Sequence, residues 1–206
     1  MWNRGPDAAA RRYRGGMRLA TLPPSLALAA VVLGTLAGCV GDDPALVPPP
    51  EPTSTPVFAS DEEALAAAEQ AYAAYFRASD SILNDGGADP ERLQAFASEE
   101  MYQLQLGGYR EAQLAGLRSV GATVVDSIIL QSYDASSSDG EGIVTVYACV
   151  DVTNVDLVDA TGNSVVSASR PNRTSVEAVF DLSSQDSGHL VLASEEQWAG
   201  RERCGS

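Results

Sequence analysis

The sequence predicts an α+β domain in which N-terminal helices pack on a curved antiparallel sheet of four strands or slightly more. Two observations lead to this prediction. Apolar residues recur at helical spacing between residues 60 and 117, and from Val120 onward the apolar period changes to two. Because the helical segments precede the strands instead of alternating with them, the pattern favours helices on one face of an antiparallel sheet.

A first helix is predicted to begin at Ser60. Ser60 and Glu63 have the spacing of a capping box, in which each side chain accepts a hydrogen bond from an otherwise unpaired amide. Apolar side chains then recur at helical spacing as far as Leu83. The turn residues 84–87, Asn-Asp-Gly-Gly, end the helix.

Two shorter helical segments follow. Asp89 and Pro90 provide a cap and a first-turn proline for one of them, and Ser98 caps the other. We predict that the second segment is interrupted at Gly107-Gly108, because glycine is a poor helix former.

Four segments with a period of two predict the strands of the sheet. Clusters of Ser, Asp and Gly separate them. The predicted strands span 122–133, 142–153, 175–182 and 189–199, and residues 156–174 are expected to form a long loop or an extra small hairpin.

The N-terminus has the organisation of a lipoprotein signal peptide. A basic segment, 11–18, precedes an apolar segment, 19–36. The initiator can be Met1 or Met17, and a start at Met17 leaves Arg18 and a compact signal. An uncleaved transmembrane helix is disfavoured because a Pro-Pro pair at 23–24 leaves too few apolar residues to span a bilayer. The pattern is completed by a lipobox-like sequence, Leu36, Ala37, Gly38 and Cys39, which in lipobox signals precedes acylation of the cysteine.

These features divide the chain into three parts: a signal peptide (1–38), a Pro-rich acidic spacer (39–59) and a single domain (60–206). We expect acylated Cys39 to insert in the lipid bilayer and to hold the protein on the outer face of a bacterial cytoplasmic membrane. The chain is acidic, with a formal net charge of −15, and it becomes more acidic when the arginines before Cys39 leave with the signal peptide. An acidic protein surface repels the phosphate groups of nucleic acids, so no nucleic-acid partner is expected.

Cysteine accounting predicts one disulfide. Once Cys39 is assigned to the lipid, Cys149 and Cys204 are left as a pair, and export favours their oxidation. The alternatives are two buried free thiols or a two-thiol metal site. His189 is the only histidine, so a metal site would lack further ligands of that type. No metal or cofactor is expected.

The sequence contains no motif that predicts a catalytic residue. Strand carboxylates would be the candidates for acid/base chemistry: Asp126, Asp151, Glu177 and Asp181. Alternation along the strand places Glu177 and Asp181 on the solvent face.

An aromatic stripe on the first helix is a candidate lining for a pocket between that helix and the sheet. It consists of Tyr72, Tyr75 and Phe76, and we add Tyr147 and Trp198 from the strands. Strict alternation would place Trp198 on the same strand face as Leu190 and Leu192. The alternative is that these rings are ordinary core packing.

Four segments of the chain carry a family resemblance. They are the helix start FASDEEALAAAEQAYAAYF, the strand entry RSVGATVVDSIILQSYD, the segment VTVYACVDVTNVDLVDATGNSV and the final pattern W-x-G-x-x-x-C. In these the chain resembles uncharacterised lipoproteins of high-GC Gram-positive bacteria. Those lipoproteins are similar in outline to the nuclear transport factor two-like superfamily, which implies a cone-shaped sheet covered by helices.

We therefore expect a non-enzymatic interaction or accessory module with a protein partner in the cell envelope. The second hypothesis is a carrier that shelters a small apolar ligand between helix and sheet. The third is an acid/base enzyme of the isomerase type.

Overall fold

The computed structural model describes residues 56–137, 139–186, 188–198 and Cys204. The predicted signal peptide, the lipobox and Cys39 lie outside these residues. In chain order the elements are α1 (Asp61–Asn84), a 3₁₀ helix (Pro90–Ala95), α2 (Glu99–Ala115), β1 (Arg118–Val120), β2 (Val124–Tyr133), β3 (Val144–Asp151), β4 (Asp156–Val158), β5 (Arg173–Leu182) and β6 (Leu190–Gln197).

The predicted α+β class is confirmed. The main sheet has the strand order β2-β3-β5-β6, and all its neighbouring strands are antiparallel. Buried residues of α1 and α2 form one hydrophobic cluster with a single face of this sheet. That face carries Val146, Ala178 and Phe180 at its centre, each with no exposed area.

Helix α1 begins at the predicted cap. The Ser60 hydroxyl accepts a hydrogen bond from the Glu63 amide at 3.3 Å, and the Glu63 carboxylate accepts one from the Ala59 amide at 2.7 Å. The buried residues of α1 recur every three to seven positions and face the sheet. They are Ala64, Ala68, Tyr72, Tyr75 and Ile82.

Helix α2 corrects one prediction, because it continues without a break through Gly107 and Gly108. Both glycines are exposed, and a Cβ on either would meet nothing within 4 Å. The opposite face buries Met101, Tyr102, Leu106, Tyr109 and Ala112, and this burial outweighs a helix-propensity cost of about 1 kcal/mol per glycine. The helix ends at Gly116, whose φ of 64° suits a left-handed cap.

The segment 156–174 contributes a strand that pairs elsewhere in the chain. β4 pairs antiparallel with β1 in a separate two-stranded sheet, and Val158 also bridges to Ser164. The partner of β4 therefore lies before the main sheet in sequence, so a local hairpin accounts for only part of this segment. Gly121, directly after β1, has φ 93°, and a Cβ there would lie 1.9 Å from the Asn154 carbonyl oxygen. Only glycine allows this approach.

The described residues include the last residues of the predicted spacer. Phe58 is buried, and its ring lies 5.7 Å from that of Tyr133. The Tyr133 hydroxyl accepts a hydrogen bond from the Phe58 amide at 2.9 Å and donates one to the Phe58 carbonyl at 3.0 Å. This contact joins the start of the domain to the end of β2.

A β-bulge at Ala193 changes the phase of β6. Val179 lies opposite Ser194 while Phe180 lies opposite Leu192, so Ala193 has no partner on β5. Before the bulge Leu192 faces the core, and after it Glu195 does so, opposite buried Ala178. The expectation that Trp198 shares a face with Leu190 and Leu192 is therefore wrong.

Candidate functional site

A carboxyl group lies between α1 and the sheet, where the sequence predicts an aromatic pocket lining or ordinary core packing. The Glu195 carboxylate accepts a hydrogen bond from the hydroxyl of Tyr72. Tyr72 is 1% exposed and belongs to the hydrophobic core. The β6 bulge places Glu195 here, and the helical spacing of α1 places Tyr72 opposite it.

The surroundings of this pair are apolar and aromatic. Tyr75, one helical turn along α1, is buried, and its hydroxyl donates to the Met101 sulfur at 3.7 Å. Burial raises the pKa of Glu195, and the hydrogen bond from Tyr72 partly opposes that increase. Burial raises the pKa of Tyr72 still further, with Glu195 adding to the effect. The Tyr72 hydroxyl therefore keeps its proton at neutral pH and donates it in the hydrogen bond to Glu195.

The aromatic rings around the pair contact one another directly. Tyr72 lies 5.1 Å from Phe76 and 5.5 Å from Phe180 between ring centroids, and Tyr75 lies 5.2 Å from Phe76. The contact with Phe180 runs from helix to sheet, so at this level the two layers meet without a gap. A carboxyl group of raised pKa that is hydrogen-bonded to a tyrosine is nevertheless an arrangement capable of acid/base catalysis.

The structure divides the predicted pocket residues between the two faces of the sheet. Tyr72, Tyr75 and Phe76 lie on the helix side. Tyr147 and Trp198 lie on the opposite face, where their rings stack at 4.5 Å. The five therefore do not line one cavity. The reason is the phase change at Ala193 together with strand alternation in β3.

The predicted disulfide is present on this outer face. Cys149 of β3 bonds to Cys204, and the Cys204 carbonyl accepts a hydrogen bond from Arg173 Nε at 2.9 Å. The Ser175 hydroxyl lies 3.0 Å from the Cys204 sulfur. Cys204 is thus attached to the middle of the sheet by a covalent bond and a hydrogen bond.

Arg173 also pairs with two of the predicted candidate carboxylates. It lies 2.7 Å from Asp126 and 2.8 Å from Asp151, which are brought to β5 from β2 and β3. Hydrogen bonding to Arg173 lowers the pKa of Asp126. Hydrogen bonds from Thr153, followed by Arg173, lower the pKa of Asp151 to about 2. Both groups are ionised partners of an arginine, so neither suits general acid catalysis.

Replacing Arg173 with Gln is expected to raise the pKa of Asp126 toward its ordinary value, because Arg173 is the main cause of its shift. The pKa of Asp151 should change less, since its hydrogen bonds from Thr153 remain. Carboxyl chemical shifts followed by NMR across a pH titration measure both. An unchanged Asp126 titration would contradict the assignment.

The other candidate carboxylates face away from the core. Glu177 and Asp181 lie on the predicted outer face, and Asp181 accepts a hydrogen bond from the Gly142 amide at 2.7 Å. His189 is exposed and contacts Asp186 at 2.7 Å. Within the described ranges, no three His, Cys, Asp or Glu side chains converge in a way that could hold a metal ion.

Sequence reasoning missed Glu195. A bulge is often marked by glycine, but here the extra residue is Ala193, so the sequence carries no signal of the phase change. Strict alternation from Leu190 places Glu195 on the outer face, and only the observed register reverses this.

No family model matches the chain, and no curated protein does. One similar solved structure is the solution NMR structure of a de novo designed β-sheet protein. It is 16% identical, with 69% of this chain and 96% of that chain covered, and the TM-score is 0.28. Among the helices of the described residues, none is both long enough and apolar enough to cross a membrane.

Proposed function

We propose that this chain is a lipid-anchored protein of the bacterial cell envelope, held outside the cytoplasmic membrane through acylated Cys39. The observation that carries the proposal is the bond between Cys149 and Cys204. It is typical of an oxidising compartment, and it leaves Cys39 as the one cysteine available for lipid. The lipobox-like sequence before Cys39 supports the same location.

We propose further that the domain acts by binding another envelope protein. Ring contacts between α1 and the sheet support this over a carrier, because the layer that a buried apolar ligand would occupy is filled by Tyr72, Phe76 and Phe180. The order of helices followed by a sheet is also compatible with membership of the lipoprotein family of high-GC Gram-positive bacteria, which we retain as a proposal.

One observation favours a second function, an acid/base enzyme of the isomerase type. It is the pairing of Glu195, with its raised pKa, and Tyr72. Such an enzyme needs a substrate to reach the carboxyl group. A small molecule that protects Glu195 from a carboxyl-modifying reagent would support this function over a protein-binding module.

Replacing Cys39 with Ser is expected to move the protein from the membrane fraction to the soluble extracytoplasmic fraction, because a serine cannot take the thioether-linked lipid. Fractionation of cells that express the full chain measures this. The matched control is Cys204→Ser, which makes the same substitution yet leaves Cys39 intact and should stay with the membrane. A wild-type protein that is membrane-bound but carries no lipid by intact mass would contradict the anchor.

The binding function is tested by photo-crosslinking in the native membrane, followed by mass analysis under non-reducing conditions. A discrete protein adduct formed by the wild type, with no stoichiometric small molecule, is the expected result. A tightly held lipid-like molecule at one copy per chain would instead favour the carrier hypothesis.

A further inference from the structure

A groove lies where the N-terminus of α2 meets the ends of two strand connections. Its volume is about 460 Å³. One wall comes from the 3₁₀ helix and the first turn of α2, and the other from the β2–β3 connection and the segment that follows β5. Because three distant parts of the chain form it, the groove exists only in the folded domain.

Carboxylates line this groove from each of the three parts. They are Glu99 of α2, Asp139 and Glu141 of the β2–β3 connection, and Asp181 of β5. Among the described residues that line it, none is basic. Four negative side chains around one concave surface produce a local field that attracts cations.

The backbone holds the carboxylates on the strand side in place. The Leu182 amide donates to the Gly140 carbonyl at 2.7 Å, which ties the β2–β3 connection to the end of β5. The Gly142 amide donates to Asp181 at 2.7 Å, and the Ser137 hydroxyl donates to Asp139 at 2.8 Å. Hydrogen bonds from Ser137 and the Glu141 amide lower the pKa of Asp139, so it is ionised at neutral pH.

Tyr102 supplies an independent indication that the groove receives a ligand. Its side chain lines the groove and is only 7% exposed. Within the described part of the chain its hydroxyl has no hydrogen-bond partner, whereas the hydroxyls of Tyr72, Tyr109 and Tyr133 are all bonded. The residue as a whole is nearly buried while its unpartnered hydroxyl stays accessible, so that oxygen can accept a hydrogen bond from a cationic side chain.

The arrangement suits an extended cation better than a metal ion. The described residues contain no group of three acidic, His or Cys side chains close enough to ligate one ion. Carboxylates spread along a groove can instead each meet a separate positive group.

We propose that this groove binds an arginine- or lysine-bearing segment of a partner protein. The proposal rests on the interaction function proposed above and states the chemistry of the partner. Complementary charge would speed the encounter, and the Tyr102 hydroxyl would accept a hydrogen bond from one cationic side chain.

The test uses the full chain with Cys39→Ser and a fluorescent tetra-arginine peptide as the probe. Glu99→Gln with Glu141→Gln removes two groove charges without removing a carboxylate that accepts a hydrogen bond from the backbone. We expect the dissociation constant to rise about threefold to tenfold at low salt. The matched control is Glu69→Gln with Glu111→Gln, which removes two exposed helix charges outside the groove.

Tyr102→Phe gives a second readout that leaves the charge unchanged. It is expected to weaken peptide binding severalfold through the lost hydrogen bond. The proposal is overturned if the peptide does not bind, if the control pair weakens binding as much as the groove pair, or if Tyr102→Phe has no effect. A failure of this kind would leave crosslinking to an envelope partner intact, so the two proposals fail separately.

Discussion

Replacing both Cys149 and Cys204 with alanine is expected to lower the free energy of unfolding by about 4 kcal/mol. The bond joins residues 55 positions apart, so its loss restores a large amount of conformational freedom to the unfolded chain. A smaller part comes from packing, because Cys149 is fully buried on β3. Urea denaturation of the two forms in a Cys39→Ser background, followed by circular dichroism, measures the difference.

A reductant supplies the control for this prediction. It should destabilise the parent chain by a similar amount and leave the alanine variant unchanged, because that variant has no bond to reduce. Equal unfolding midpoints for parent and variant would contradict a stabilising role for the bond.

Replacing Tyr72 with Phe is expected to cost about 1 to 2 kcal/mol at pH 7, the usual range for a lost hydrogen bond that leaves its acceptor without a partner. The substitution removes the hydroxyl that donates to Glu195 and leaves a partly buried carboxyl group without that partner. The matched control is Tyr75→Phe on the same helix. Its hydroxyl donates to the Met101 sulfur, which is a weak acceptor, so its loss should cost clearly less.

The pH dependence of the Tyr72→Phe effect follows from the raised pKa of Glu195. Between its unfolded pKa, about 4.3, and its higher folded pKa, the folded state binds more protons than the unfolded state. The contribution of Glu195 to stability is therefore most favourable below the unfolded value and declines as the pH rises through the folded value.

Two consequences are measurable by urea denaturation at a series of pH values. The cost of Tyr72→Phe should be smaller at pH 4 than at pH 7, because the hydrogen bond from Tyr72 stabilises the ionised form of Glu195 more than the protonated form. Glu195→Gln should remove this part of the pH dependence and gain stability relative to the parent as the pH rises. An equal cost for Tyr72→Phe and Tyr75→Phe at every pH would show that the buried pair has no special role.

The candidate sites illustrate how far local sequence reasoning extends. The disulfide followed from counting cysteines, and the solvent-facing position of Glu177 followed from alternation within one uninterrupted strand. The Tyr72 and Glu195 pair could not be found in this way. It depends on a bulge at Ala193, and a bulge is decided by how β6 fits both β5 and the segment around Ala97 that pairs with Leu192.

The glycines of α2 show the same limit of local sequence reasoning. Taken locally, Gly107 and Gly108 predict a break, because propensity is a property of the residue and its neighbours. The helix continues because the opposite face is buried against the rest of the domain, a contribution that sequence spacing alone does not weigh against propensity.

The sequence by itself determined the α+β class, the helix caps at Ser60 and Ser98, the main strands and the cysteine pair. Each depends on the spacing of apolar residues over a short stretch, on a hydrogen bond between near neighbours, or on the number of cysteines. Only the tertiary structure decided the pairing of β1 with β4, the phase of β6 and the acidic groove beside Tyr102. These features depend on contacts between residues that lie far apart in the chain. The free energies of such contacts cannot be read from the pattern of neighbouring residues.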